Sequence, residues 1–152
     1  MDPVMAALSE LITITNDIFT NIGTGYNEVI YHRAFEVALR LKNISYQSEV
    51  VTPVIYKGHN IGHGRVDLII NGNIIVELKA ISNFNNDTGV VQIRNYMKHY
   101  SINNGIIINF AQNNNKNMEY SPNIKYVTSD KVFNFINNSF IEIKNNVINM
   151  VQ

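Results

Sequence analysis

The sequence predicts a mixed α/β domain, a sheet flanked by helices, and three observations lead there. Apolar residues recur at helical spacing in two successive N-terminal segments. Three β-rich segments follow, separated by short turns that contain Asn and Gly. A further helical pattern then runs into Gly105-Ile106-Ile107-Ile108-Asn109-Phe110, an unbroken β-branched run of the kind found in strands covered on both faces.

Taken in order, Asp2-Pro3 has the form of a helix start, with Asp as the cap and Pro at the first helical position. Met5, Leu8, Leu11, Ile12, Ile18 and Phe19 continue it, and Asn21 to Gly25 ends it. A second helix is expected from about Tyr26 to Lys42, since Ile30, Ala34, Val37, Ala38 and Leu41 recur at intervals of three and four. Strands are expected near Ser45–Tyr56, Ile61–Ile70 and Ile74–Ala80, joined by Lys57-Gly58-His59-Asn60 and Asn71-Gly72-Asn73 as an antiparallel meander. The third helix spans Gly89 to about Tyr100, and the strand at Gly105 is expected to lie parallel to the meander. Gln112–Asn117 reads as a polar loop, and Ile124–Thr128 as an edge strand. Ser129 or Asp130 is placed to cap a last helix carrying Phe133, Ile136 and Phe140.

A chain of 152 residues, 45% of them hydrophobic, suits one compact core, so residues 1–152 are expected to form one domain. No stretch approaches the roughly 20 apolar residues of a membrane span, and no signal-like N-terminus is present, so a soluble intracellular protein is expected. Without cysteine there are no disulfides, thiolate zinc sites or thiol nucleophiles; a bound metal must be held by oxygen or imidazole, which favours hard cations. Twelve basic residues balance twelve acidic ones, so no bulk positive field draws the molecule to nucleic acid. Local charge offsets this in part, because Lys57, Arg65, Lys79, Arg94 and Lys98 are concentrated in one stretch.

The residues with most chemical potential lie on the second hairpin. Side chains alternate along a strand, so Glu77 and Lys79 share one face while Val76, Leu78 and Ala80 take the other. With a three-residue connection at Asn71-Gly72-Asn73, Ile70 pairs with Ile74, which puts Asp67 opposite Glu77 and Arg65 opposite Lys79. Two facing carboxylates repel by roughly 1 kcal/mol at about 4 Å in water and by more in a drier site. A divalent cation offsets that repulsion, and Mg²⁺ is commonly held by one or two carboxylates together with water and phosphate. Two alternatives stand beside this: a solvated hairpin in which Lys79 or Arg65 neutralises Glu77, and a two-residue Asn71-Gly72 turn that sends Asp67 and Glu77 to different faces.

On a helical projection Glu28 falls between Phe35 and Leu39, at the margin of the apolar arc, and is expected to be partly buried and in need of a partner. A helix-start Glu answering the helix dipole is the competing reading. Gln92 and Tyr96 project from one face of the third helix, with Arg94 and Lys98 as a second such pair beside them. His32, His59, His63 and His99 show no metal-ligand spacing and are read as non-catalytic, with His63 alone placed to approach a phosphate.

Gly25-Tyr26-Asn27-Glu28-Val29-Ile30-Tyr31 resembles the signature of the GxxExxY proteins, a branch of the PD-(D/E)XK nuclease superfamily. The resemblance continues through Pro53 to Gly58, Arg65-Val66-Asp67-Leu68, Val76-Glu77-Leu78-Lys79-Ala80, Gln92-Ile93-Arg94-Asn95-Tyr96 and Gly105 to Phe110, covering about residues 8 to 111. It implies a restriction-endonuclease-like αβββαβ core with a C-terminal strand and helix extension over about 112–152. It also implies that Asp67 and Glu77 bind Mg²⁺ or Mn²⁺, with Glu28 and the Leu78 carbonyl as further ligands and Lys79 as the catalytic lysine. Gln92 and Tyr96 match an element associated with substrate, and Arg65 and Arg94, basic residues in the same motifs, are expected to bind substrate with them. Asn86-Asp87-Thr88-Gly89 lacks the His that family members often carry before the Gln.

The implied activity is metal-dependent hydrolysis of phosphodiester bonds, in DNA rather than RNA, leaving a 5′-phosphate. The alternative is a non-catalytic nucleic-acid- or protein-binding module that keeps the fold. The tail is the expected site of any homodimer or protein contact.

Overall fold

The computed structural model describes residues 2–110 and 121–144. Two helices come first, α1 (Pro3–Ile22) and α2 (Glu28–Leu41). Asp2 caps α1 by accepting the Val4 N–H at 2.8 Å ahead of Pro3, as its sequence foretold. Strands β1 (Tyr46–Tyr56), β2 (His59–Ile70) and β3 (Ile74–Lys79) form the meander, α3 (Val90–Tyr100) crosses over, and β4 (Gly105–Asn109) returns parallel to β3. Then β5 (Asn123–Val127), β6 (Val132–Ile136) and β7 (Ser139–Glu142) extend the sheet antiparallel, giving the seven-stranded order β1-β2-β3-β4-β5-β6-β7.

Two apolar layers sandwich this sheet. On one face Leu8, Leu11, Ile14 and Ile18 of α1 and Tyr31, Phe35 and Leu39 of α2 cover Leu68, Val76, Leu78, Ile106 and Ile108. On the other, Val90, Ile93, Tyr96 and Met97 of α3 cover Val66, Ile69, Ile75 and Ile107. Every residue of β4 is buried, which is why it reads as a continuous apolar run. Phe110 ties the first layer together: its ring stacks on Tyr31 at 4.3 Å between centroids and meets Phe35 edge-on at 6.5 Å.

Turn chemistry sets the strand registers. Asn71 and Gly72 both adopt positive φ, Asn73 N–H donates to the Ile70 carbonyl at 3.0 Å, and Ile70 pairs with Ile74, the three-residue connection. Between β1 and β2 the turn is tighter than the sequence suggested: Lys57 (φ 48°) and Gly58 (φ 79°) make a two-residue connection and His59 and Asn60 already belong to β2.

The C-terminal region departs from expectation. Phe133, Ile136 and Phe140 lie on a β-hairpin instead of a helix, and β5 is consequently an interior strand. Asn137 (φ 50°) and Asn138 (φ 63°) form the left-handed turn that reverses the chain, and Phe135 pairs with Phe140, their rings 5.1 Å apart. Upstream, Thr128 closes a turn with Lys131, its N–H donating to the Lys131 carbonyl at 2.9 Å and its hydroxyl accepting from the Lys131 N–H at 3.0 Å. No helix begins there. The loop expected at Gln112–Asn117 and the end of the chain after residue 144 lie outside the described residues. Among the described residues no helix is long and apolar enough to cross a membrane.

Phe110→Ala should cost about 3–5 kcal/mol of folding stability, because it opens a cavity between two aromatic neighbours; urea unfolding monitored by circular dichroism measures it.

Candidate active site

The site forms where the strands of the sheet part. Pairing between β2 and β3 runs only from Ile70↔Ile74 to Leu68↔Val76. One residue further the side chain of Asp67 replaces the backbone ladder, its Oδ2 accepting the Leu78 N–H at 2.7 Å. Glu77 answers from the other strand, its Oε1 accepting the Asp67 N–H at 3.3 Å. The counted register therefore does bring Asp67 and Glu77 together. The expected Arg65–Lys79 pairing is not made, since Arg65 pairs with Val51 and its N–H donates to the Tyr96 hydroxyl at 3.1 Å. The strands have diverged by that level.

Side-chain direction adds a detail that register alone does not supply. Val76 and Leu78 join the layer under α1 and α2, so alternation turns Glu77 and Lys79 toward α3. The Asp67 carboxylate lies nearer α2, lining a cavity of about 250 Å³ together with Glu28, His32, Glu36, Glu49 and Leu78. Glu77 and Lys79 are not among its lining residues. The two carboxylates meet through the gap between β2 and β3. Glu77 is only 4% exposed, and burial, reinforced by the Asp67 charge, pushes its carboxyl up to about 9; the Asp67 N–H and the Lys79 ammonium act weakly the other way.

Such a pair fits a hard cation. The donors are all oxygen, and a buried carboxyl that holds a proton against its neighbour's charge is one whose proton a divalent ion can replace. Among the described residues, however, no three acidic or histidine side chains are gathered closely enough to hold a metal by themselves. Any such ion would be completed by water, substrate oxygens or movement of the cavity wall.

Glu28 belongs to that wall, and the expectation of partial burial is corrected: it is exposed. It is the first residue of α2, a turn beyond the core positions Tyr31, Phe35 and Leu39, so no apolar layer reaches it. The local sequence nevertheless aims it. Gly25 adopts φ 102°, Asn27 caps the helix, and the buried Tyr31 donates its hydroxyl to the Gly23 carbonyl at 2.7 Å, which ties the loop to the helix. Glycine, glutamate and tyrosine thus serve as turn, cavity wall and anchor.

Gln92 and Tyr96 lie together, Gln92 Nε2 3.4 Å from the Tyr96 hydroxyl. They brace β2 from the α3 side. Gly64 is required beneath them, because a Cβ there would fall 2.5 Å from the Tyr96 hydroxyl oxygen. Arg65 is exposed. Arg94 is turned away from the site: Nε donates to the Thr128 carbonyl at 3.0 Å and Nη2 to the Lys131 carbonyl at 3.2 Å, pinning α3 to the turn before β6.

Sequence reasoning passed over three residues. His32 was set aside with the other histidines, yet its Nδ1 is 4.0 Å from Asp67 Oδ1 and its Nε2 2.8 Å from Ser48 Oγ; its position four residues after Glu28 was the available signal. Glu49 has φ 52° and interrupts the β1–β2 ladder between Ser48↔Leu68 and Val50↔Val66, directly across from Asp67. Nothing in the sequence marks it. Lys125 on β5 is 2% exposed, its ammonium has no hydrogen-bond partner among the described residues, and it rests 4.1 Å from the centre of the Phe84 ring; burial lowers it to about 8.

Two predictions follow from these charges. Because folded Glu77 keeps its proton between its ordinary value of 4.5 and about 9, the metal-free protein should lose stability as pH rises through that window. Glu77→Gln should remove this slope, as read from urea midpoints at pH 5, 7 and 9. Lys125→Met should leave stability unchanged or raise it by about 1–3 kcal/mol, since it removes a buried cation without a hydrogen-bonded partner; a fall in the unfolding midpoint contradicts that account.

Comparison with known proteins agrees with this architecture. The family model PDDEXK_3, described as the PD-(D/E)XK nuclease superfamily, matches residues 6–120. Among solved structures, the one described as "Crystal structure of SSO0001" is 24% identical with a TM-score of 0.41, over 54% of this chain and 43% of that chain. This chain therefore spans less than half the length of that protein. No curated protein matches the sequence. With a superfamily match spanning both helices, the meander, α3 and β4, the chain belongs to the PD-(D/E)XK nuclease superfamily.

Proposed function

We propose that the protein is a Mg²⁺- or Mn²⁺-dependent deoxyribonuclease that leaves a 5′-phosphate. The observation that carries this reading is the meeting of the buried Glu77 with the half-buried Asp67 at the parting of β2 and β3, with Lys79 on the Glu77 face. The likeness of Gly25 to Tyr31 to the GxxExxY signature supports it.

In this reading Asp67, Glu77 and the Leu78 carbonyl would hold the cation, with Glu28 of the same cavity as a further ligand. A bound divalent ion supplies charge to the scissile phosphate and acidifies water beside it. The protein's own groups do the rest. Glu77 holds a proton that a bound cation would displace, and Asp67 is kept in place by the Leu78 N–H. Lys79 orients the attacking water and stabilises charge that develops on the phosphate oxygens. Tyr96 holds the backbone of β2 at Arg65, and Gln92 holds Tyr96, so the strand that delivers Asp67 is fixed from behind. The exposed Arg65 faces outward to meet phosphate.

A second reading, a binding module without catalysis, draws on the absence of three converging acidic or histidine side chains among the described residues. The two separate cleanly. Glu77→Ala and Lys79→Ala should each reduce Mg²⁺- or Mn²⁺-dependent cleavage of DNA by at least 100-fold with the circular dichroism spectrum unchanged, and Glu77→Ala should also abolish the heat of metal binding in calorimetry. Unchanged rates in both variants overturn the enzyme; metal binding without cleavage by the wild type favours the module.

A further inference from the structure

The β1–β2 hairpin is far longer than its sheet requires. β2 pairs with β3 over Leu68 to Ile70 alone, while β1 and β2 continue to pair with each other out to Tyr56↔His59. α3 covers the root of this extension: Val50 and Val66 pack in its layer, Thr52 Oγ1 lies 2.7 Å from the Tyr100 hydroxyl, and the Arg65 N–H is held by Tyr96. Beyond that root every residue from Pro53 to His63 is exposed. The ribbon is bare on both faces over a reach of roughly 15 Å at about 3.3 Å per residue.

Val54, Ile55, Tyr56 and Ile61 are 49%, 56%, 59% and 63% exposed, a concentration of apolar surface that the core does not use. The ribbon is also built to keep its shape. The Lys57-Gly58 turn has positive φ at both residues, which matches strand twist, and a register shift between Val54 and Ile55 adds to that twist. Tyr96 and Tyr100 then fix its root to α3.

We infer that residues 53–63 form an arm that lies in the major groove of duplex DNA beside the cleavage site. Charge chooses the occupant. From Val50 to Val66 there is no Asp or Glu, whereas Lys57 and Arg65 fall in this stretch, with His59 and His63 beside them, in a chain that carries no net charge as a whole. A major groove admits a two-stranded ribbon, and apolar side chains there meet thymine methyl groups while the basic ones meet phosphate. The deep, narrow major groove of duplex RNA does not admit it. The arm also joins the site directly, since only Gly64, Arg65 and Val66 separate His63 from Asp67 on one strand.

This inference rests on the nuclease reading, and its test separates the two. The probe is a fluorescent 30-base-pair DNA duplex, its binding followed by anisotropy across a salt series without divalent metal. The chain carries Lys57→Asn, His59→Glu and His63→Glu together, with Asn chosen for the left-handed turn position. Duplex affinity should fall at least 10-fold, the slope of log affinity against log salt should become shallower by about one, and a duplex RNA of the same sequence should bind more weakly than DNA to the unsubstituted chain. The circular dichroism spectrum should not change. Wild-type affinity in the substituted chain overturns the arm, even where metal-dependent cleavage proves the enzyme. Loss of affinity in a protein that never cleaves supports the arm and sinks the nuclease alone. A dimer that becomes monomeric on substitution, by light scattering, with duplex affinity unchanged, overturns the arm in favour of an interface between copies.

Discussion

The Asp67 carboxylate accepting the Leu78 N–H is the interaction on which the site depends. Two antiparallel strands in register would ordinarily continue to zip, each N–H finding a carbonyl across the ladder. Here a side chain takes the place of a backbone acceptor, so β2 and β3 separate without leaving that N–H unsatisfied. The gap so created is where Glu77 meets Asp67, and it lets β2 leave the sheet with β1 as a free ribbon. Site and arm are two consequences of one exchange of hydrogen-bond partners.

Rigidity elsewhere makes that gap tolerable. β4 is buried along its whole length beside β3, and Asn109 at its end reaches back, accepting the Ile81 N–H at 2.9 Å and donating to the Ile81 carbonyl at 3.0 Å. The chain just past Lys79 is thereby held. On the opposite side Tyr31, stacked on Phe110 and bonded to Gly23, keeps the start of α2 against the sheet and so holds the cavity wall. Carboxyl groups can be kept this close and this dry only by scaffolding of this kind, and the cost, chiefly of burial and then of the Asp67 charge, appears as the raised proton affinity of Glu77.

Where expectation and structure part, the cause is a choice between two local patterns. Phe133, Ile136 and Phe140 satisfy helical spacing, yet Val132 to Ile136 is also β-rich and Asn137-Asn138 is a hairpin turn. The open edge of β5 decided between them: pairing there satisfies its backbone groups and stacks Tyr126 on Phe133, their rings 5.7 Å apart. Arg94 was drawn into the same rearrangement, because the turn that replaced the helix cap presents two carbonyls to its guanidinium. Glu28 shows the limit of a helical projection, which gives the angle of a side chain around the axis and nothing about whether a neighbour stands at that height.

Much was determined by the sequence itself. Periodicity located the three helices and β1 to β5, the Asn71-Gly72-Asn73 connection set the Ile70↔Ile74 register, and alternation placed Glu77 beside Lys79; these are local regularities, fixed by chain geometry within a few residues. Tertiary structure alone decided that Asp67 turns toward α2 and Glu77 toward α3, that Glu49 borders the cavity, and that Lys125 is buried over Phe84. Each depends on segments far apart in the chain arriving at one place, on strands that diverge instead of pairing, and on desolvation, which belongs to the packed whole and to no residue's own neighbours.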